Sequence, residues 1–195
     1  MSFQRMNNTG ALGERYFAQM LIERGYLVYG LYNGFTCPRC NEQCYCVGRQ
    51  HPFDFLCYKP SKDVPFDFHD MFIAEVKTKV RLWENENGFN MSDFNAYKNI
   101  HFTSPFKFWV VFVDKEEIYG TTMEDLVDKE LNPQEVEGIT YPKKKTYNHK
   151  EGKMIIEKDV IFFPLKWMKK MVKLTENQQK KLQNASAKQS VVEMS

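Results

Sequence analysis

The chain has 195 residues, of which 43% are hydrophobic and 15% aromatic, enough apolar material for one globular domain with a substantial core. Its formal net charge is only +2. The composition therefore gives no argument for nucleic acid or another polyanion as a partner, and any basic surface must be local. There is no apolar run of about eighteen residues, as a membrane span needs, and the start of the chain is polar. We therefore expect an intracellular, cytoplasmic protein with no membrane partner.

The first predicted element is an amphipathic helix over residues 10–24, preceded by N-cap candidates and carrying apolar residues three and four positions apart. Glu14 lies at the border of its apolar face. It is either an ordinary solvated glutamate of the first turn or a carboxylate that reaches past the edge of the core.

Three strands are predicted next, over residues 26–32, 53–58 and 71–79. The second carries Asp54 among hydrophobic residues, and the third carries Glu75 and Lys77. These two alternate with Ala74 and Val76, so the charged pair shares one face of the strand and the apolar pair the other. A solvated strand face is the commoner interpretation of such a pair.

The second half of the chain mixes helices and strands. Residues 81–90 predict a mobile connection, and residues 92–100 and 122–130 predict helices. The segment 106–114 is apolar on both faces, which indicates a central strand, with 117–120 as its hairpin partner. Strands over 138–147 and 153–163 and a short basic helix over 164–171 follow. We predict a single α/β domain over 1–173 and a polar tail, 174–195, that is a frayed helix or disordered.

Asp54 and Glu75 form a candidate metal site if the second and third strands are neighbours. Neighbouring strands lie about 4.8 Å apart, which brings the two carboxylates within reach of each other. Carboxylates at that separation repel unless a cation lies between them, and oxygen ligands with open positions suit Mg²⁺ or Mn²⁺.

Glu14 on a predicted helix is followed along the chain by Asp54 and then by Glu75-Val76-Lys77. This order of elements resembles the PD-(D/E)XK nuclease superfamily over about residues 10–114. Gly13-Glu14-Arg15 is similar to its Holliday-junction-resolvase-like and Mrr-like branches. The sequence departs from the family pattern at Pro52, which stands one residue too early to form the usual Pro-Asp pair. The resemblance implies a restriction-endonuclease-like core, with a mixed central β-sheet flanked by helices.

The resemblance also implies a metal-dependent nuclease that hydrolyses DNA phosphodiester bonds. Asp54, Glu75 and the backbone carbonyl of Val76 would coordinate Mg²⁺ or Mn²⁺, and Lys77 would position the attacking water or help to deprotonate it. Glu14 would act on the metal side or through a bound water. Such hydrolysis needs an activated hydroxide and stabilisation of developing negative charge.

A cysteine-rich stretch interrupts this pattern at residues 34–52. In a reducing compartment, clustered cysteines favour a metal over disulfides, and we expect a loop insertion stapled by structural zinc. Free thiols and an iron–sulfur cluster are the alternatives. The expected zinc ligands are Cys37, Cys40, Cys44 and Cys46, with His51 or Cys57 as substitutes.

DNA is the expected partner, and two cuts on opposite strands would call for a homodimer. Basic residues that neutralise phosphates give affinity without sequence specificity, although a solvated lysine face is the usual fate of such runs. The rival interpretations are a catalytically inactive nucleic-acid-binding module of the same fold and a zinc-stapled interaction protein. The candidate nucleic-acid contacts are Lys79, Tyr97, Lys98, Lys143, Lys144, Lys145, Lys169 and Lys170.

Overall fold

The computed structural model describes residues 8–30, 53–60, 71–78, 86–151 and 154–193. Its helices are α1 (Asn8–Glu23), α2 (Met91–Thr103), α3 (Met123–Leu131) and α4 (Glu176–Glu193). Its strands are β1 (Leu27–Gly30), β2 (Phe55–Tyr58), β3 (Met71–Thr78), β4 (Glu86–Asn90), β5 (Lys107–Val113), β6 (Glu117–Thr122), β7 (Gln134–Val136), β8 (Ile139–Tyr141), β9 (Lys143–Glu151), β10 (Met154–Pro164) and β11 (Lys169–Lys173). None of these helices is long and apolar enough to cross a lipid bilayer.

The main sheet has six strands in the order β1-β2-β3-β5-β6-β11. β3 and β5 run parallel, and the other neighbours are antiparallel, so the sheet is mixed as predicted. β5 lies inside the sheet, and its residues from Val110 to Val113 are fully buried. A strand that is apolar on both faces can be covered on both faces, which explains why the sequence signal for β5 is the strongest.

Two hydrophobic cores cover the two faces of this sheet. On one face, Phe17 of α1 and Leu182 of α4 pack with Val76 and Val111. On the other face, α2 and α3 contribute Phe94 and Leu126, which belong to one cluster with Ile73 and Val110. Successive side chains along β3 and β5 point to opposite faces of the sheet, so neighbouring residues of each strand pack into different cores.

A second sheet, β4-β10-β9, is antiparallel and adds Phe89 of β4 and Phe163 of β10 to the second core. The prediction of a mobile connection over 81–90 is wrong for residues 86–90, which form β4. Residues 81–85 lie outside the described residues. Gly88 allows this pairing, because a Cβ there would stand 2.8 Å from the ring of Phe162.

The predicted basic helix over 164–171 is also wrong. Leu165–Trp167 forms one 3₁₀ turn, and β11 then pairs antiparallel with β6 at the edge of the main sheet. Lysines are frequent on edge strands, where they keep the open edge from pairing with other chains, so the basic pattern fits a strand as well as a helix.

The polar stretch after residue 173 begins with ordered structure. Leu174 and Leu182 are buried in the first core, and α4 packs beside α1. Two apolar residues are enough to anchor this polar helix, which composition alone did not indicate. The expected domain boundary at residue 173 stays a prediction.

Candidate active site

β3 brings Glu75 and Lys77 to the face of the sheet that packs against α2. The Lys77 Nζ lies 2.7 Å from the Glu75 Oε1, and the two side chains are only 24% and 11% exposed. A charged residue this buried is expected to be paired, because an unpaired charge loses its hydration without compensation. The pair is therefore not a solvated strand face.

Asp54 sits beside this pair, one residue before β2 begins. Its backbone N–H donates to the Ala74 carbonyl over 2.9 Å, and its carboxylate Oδ2 accepts from the Val76 N–H over 2.7 Å. The side chain thus extends the β2–β3 pairing beyond the first residue of β2. Ala74 and Val76 present their backbone groups to the same edge of β3, so the Val76 carbonyl lies at the edge that holds Asp54.

Glu14 reaches the same region from α1, on the other side of the sheet. Gly13 permits the approach, because a Cβ at that position would lie 2.0 Å from the Thr78 Oγ1. Burial and the charge of Glu75 raise the pKa of Glu14. Glu14 is therefore a partly buried carboxylate in the field of the β3 site.

The electrostatics of the cluster favour an added cation. Burial, the Glu75 carboxylate and the Glu14 carboxylate raise the pKa of Asp54 to about 8, although the Val76 N–H and Lys77 act in the opposite direction. Asp54, Glu75 and Glu14 thus lie close enough to repel one another, and the Lys77 ammonium offsets only part of that repulsion at Asp54. Burial and like charge are the causes that typically shift pKa values at functional sites.

The donor set fits a hard divalent ion that brings its own water. Within the described part of the chain, no three His, Cys, Asp or Glu side chains form a ready-made metal-binding group. Mg²⁺ and Mn²⁺ do not require one, because Mg²⁺ is commonly held by one or two carboxylates together with water and substrate phosphates. Asp54 and Glu75, with the Val76 carbonyl beside them, satisfy that requirement.

α2 supplies two further residues. The Tyr97 hydroxyl donates to Glu75 Oε1 over 2.8 Å, and Asp93 Oδ2 lies 3.6 Å from Lys77 Nζ. Burial and the charge of Glu75 raise the pKa of Tyr97, so the hydroxyl stays a donor. Tyr97 is only 3% exposed, which places it beneath Glu75 and corrects its prediction as a nucleic-acid contact. Sequence reasoning missed Asp93 in the site, although a spacing of four residues from Tyr97 puts both on one helix face.

Most of the predicted basic contacts are engaged within the protein. Lys98 and Lys144 both pair with Glu130, at 2.6 and 3.4 Å. Lys143 pairs with the buried Glu86, and Lys170 pairs with Glu117. Each of these four lysines thus has a carboxylate partner within the protein, and their contact with nucleic acid stays a prediction. Lys145 and Lys169 are exposed, and Lys79 lies outside the described residues.

The zinc site stays a prediction, because most of its expected ligands lie outside the described residues: Cys37, Cys40, Cys44, Cys46 and His51. Cys57 is described and is fully buried in the first core. Burial raises the pKa of its thiol to about 12, whereas zinc binds the thiolate. Cys57 therefore packs as a core residue in this structure, and its role as a substitute ligand stays a prediction.

Comparisons with known proteins gave structural likeness only. No protein-family model and no curated protein matched the sequence. Among solved structures, the chain is similar to a Holliday junction resolvase from Archaeoglobus fulgidus, with 11% identity, a TM-score of 0.42, and coverage of 81% of this chain and 85% of that one. It is also similar to a nuclease from a fusselovirus, with 11% identity, a TM-score of 0.40, and coverage of 93% and 89%. The first is named as a Holliday junction resolvase and the second as a nuclease. At these TM-scores and identities the likeness carries no argument about function, which must come from the site's own residues.

Proposed function

We propose that this chain is a metal-dependent nuclease that hydrolyses phosphodiester bonds in DNA. The observation that carries the proposal is the buried group at the start of β2, in which the Asp54 and Glu75 carboxyl groups lie close to each other and to the Lys77 ammonium. A structural ion pair needs one carboxylate for one ammonium. The surplus carboxyl group, which keeps a proton in the absence of metal, suits a site that gains a divalent cation.

Asp54, Glu75 and the Val76 carbonyl would hold Mg²⁺ or Mn²⁺. When bound there, the ion supplies positive charge to the phosphoryl oxygen and to the leaving alkoxide. Asp54 is already fixed by the Val76 N–H, and Glu75 by the Tyr97 hydroxyl, so both carboxylates are oriented before any ligand arrives. Such preorganisation is a main source of transition-state stabilisation.

Lys77 would orient the attacking water and stabilise charge that develops on the phosphate. Its ammonium is held between Glu75 and Asp93, which keeps the side chain directed into the site. Glu14, with its raised pKa, is suited to receive a proton from that water through a second water. DNA is chosen over RNA from the family resemblance, and both substrates belong in the test.

The proposal is tested by incubating the purified chain with plasmid, linear and branched DNA, and with RNA, in Mg²⁺ or Mn²⁺. Lys77→Ala and Asp54→Asn are expected to reduce cleavage by roughly a thousandfold, in the range found when a catalytic group or charge stabiliser is removed. The matched control is Lys180→Ala, which removes an exposed lysine of α4 and should cleave as the unmodified chain does.

Thermal unfolding of each variant establishes that it is folded. Equal cleavage by the Lys77→Ala variant and the unmodified chain would contradict the assignment, as would cleavage that persists in excess EDTA. DNA binding without cleavage in either metal would favour the inactive binding module.

A further inference from the structure

A groove of about 490 Å³ opens at the start of β3, on the face that packs against α1. Four of its lining residues are aromatic: Phe17, which is buried, and three that form a continuous row. In this row the ring centroids of Tyr26 and Phe72 are 5.7 Å apart, and those of Phe72 and Trp109 are 6.4 Å apart. All three side chains are partly exposed. Aromatic rings that remain accessible in a groove provide surfaces on which planar ligands can stack.

The rim of this groove is basic. Arg24, Lys107, Lys169 and Lys170 line it, and none of the described lining residues is acidic. In a chain whose net charge is only +2, four cations without an acid in one lining are a local concentration of charge. Lys107 and Lys169 are exposed and make no ion pair with any described residue.

The other two cations, Arg24 and Lys170, are held in place by contacts within the protein. Arg24 donates to the Met171 carbonyl over 2.7 Å, and Lys170 pairs with Glu117. Lys59 adds a further positive charge over the outer ring of the row, with its Nζ 5.3 Å from the centroid of Tyr26. The row of rings is thus bordered by positive charge along its length.

We propose that this groove binds a single strand of nucleic acid. Unpaired bases would stack on the row of Tyr26, Phe72 and Trp109, while the phosphates lie against Lys107 and Lys169. Aromatic stacking combined with a positively charged groove is the physical basis of binding single strands without sequence preference. A duplex is a poor match, because the faces of its bases are already stacked on one another and cannot reach the rings.

This inference goes beyond the proposed cleavage and does not depend on it. The groove is lined by the first two residues of β3, whereas the acidic cluster lies at Glu75 and beyond. Binding can therefore be measured in EDTA, where no metal-dependent cleavage takes place. A chain that binds single strands through the groove but cuts nothing would leave this inference standing and overturn the proposed nuclease.

The test is fluorescence anisotropy of a labelled oligothymidylate in EDTA at several salt concentrations. The double variant Lys107→Glu/Lys169→Glu is expected to weaken binding at least about tenfold at low salt. The slope of log K against log salt should fall in magnitude by roughly 1.4, because two phosphate contacts are lost. Lys166→Glu is the matched control: it is three residues from Lys169 and exposed, but it lines a different cavity, so it should bind as the unmodified chain does.

Stacking is tested separately at Trp109. Trp109→Leu is expected to weaken binding by about tenfold, within the range measured when a stacking residue is removed, and Trp109→Phe should restore most of it. Unchanged affinity in the Lys107→Glu/Lys169→Glu variant would overturn the inference. Equal affinity for a duplex of the same length, lost equally in that variant, would overturn the assignment to single strands.

Discussion

The two ends of β3 carry opposite chemistry on opposite faces of the sheet. Glu75 and Lys77, near its C-terminal end, belong to a buried cluster with a surplus of carboxylates. Phe72, near its N-terminal end, lies in an open groove lined by cations and rings. The first region has more carboxyl groups than cations, and no described residue that lines the second is acidic, so the two regions suit different ligands.

The two regions also differ in how tightly they are built. Asp54 and Glu75 are each fixed by a hydrogen bond under 3 Å, and α1 approaches β3 so closely that Gly13 has no room for a Cβ. The groove is bordered by exposed lysines and by the flexible Met171. A site that performs chemistry needs fixed groups, whereas a surface that holds a strand tolerates movement.

Gly13→Ala should have the largest effect on stability among the glycine substitutions that follow. Its Cβ would meet the Thr78 Oγ1 at 2.0 Å, and a β-branched side chain has few other rotamers. Overpacking of this kind costs about 1–3 kcal/mol, and the better helix propensity of alanine offsets about 1 kcal/mol of it. We expect a net loss of up to about 2 kcal/mol in the free energy of unfolding, measured by urea denaturation, and weaker cleavage because Glu14 moves with α1.

Gly10→Ala is the matched control in the same helix. A Cβ there meets nothing within 4 Å, so the substitution should raise stability by up to about 1 kcal/mol. If Gly13→Ala is as stable as Gly10→Ala, the close approach of α1 to β3 is not a constraint, and the contrast between the two regions fails.

The pH dependence of stability should reveal the surplus of carboxylates. The pKa of Asp54 is raised from 3.8 to about 8 on folding, so the folded state keeps a proton that the unfolded state loses. Its contribution is fully present below about pH 4 and is lost as pH rises to about 8. We expect the metal-free chain to lose on the order of 4 kcal/mol between about pH 5 and pH 8, relative to Asp54→Asn, in urea denaturation.

The stability of the same two proteins can also be compared with and without Mg²⁺. Excess Mg²⁺ at about pH 8 should raise the melting temperature of the unmodified chain, because a ligand that binds only the folded state stabilises it. It should leave Asp54→Asn nearly unchanged. Parallel pH profiles for the two proteins, with or without Mg²⁺, would mean that Asp54 is not held against the other carboxylates.

The sequence predicts the main sheet better than the second sheet. The central strand β5 is evident because it is apolar on both faces, and the start of α3 because Thr122 caps it by accepting from the Asp125 N–H. β4 is hidden, because Glu86 and Asn87 are poor strand formers. They are buried by pairing with β10, about seventy residues later in the chain, and a local pattern does not contain that partner.

The candidate site divides in the same way. Alternation along one strand predicts that Glu75 and Lys77 share a face, and strand adjacency predicts that Asp54 lies beside them; their catalytic roles stay predictions. The pairing of Lys98 with Glu130 is not visible from the sequence, because it depends on how α2 and α3 pack. A lysine with no obvious partner among its sequence neighbours can therefore form an ion pair with a carboxylate that is distant along the chain.

Gly120→Ala should have the smallest effect on the free energy of unfolding. This substitution tests how rigidly the groove at the start of β3 is packed. Its Cβ would stand 2.2 Å from the Met171 Cε and 3.3 Å from the Trp109 Cε3, so the contact resembles that of Gly13 in distance alone. The Met171 methyl ends an unbranched side chain that can move to another rotamer. We expect a change below about 1 kcal/mol in the free energy of unfolding and at most about a threefold change in oligothymidylate affinity. A loss as large as that of Gly13→Ala would mean that the groove is as rigid as the acidic cluster. Packing would then give no reason to assign chemistry to one end of β3 and strand binding to the other.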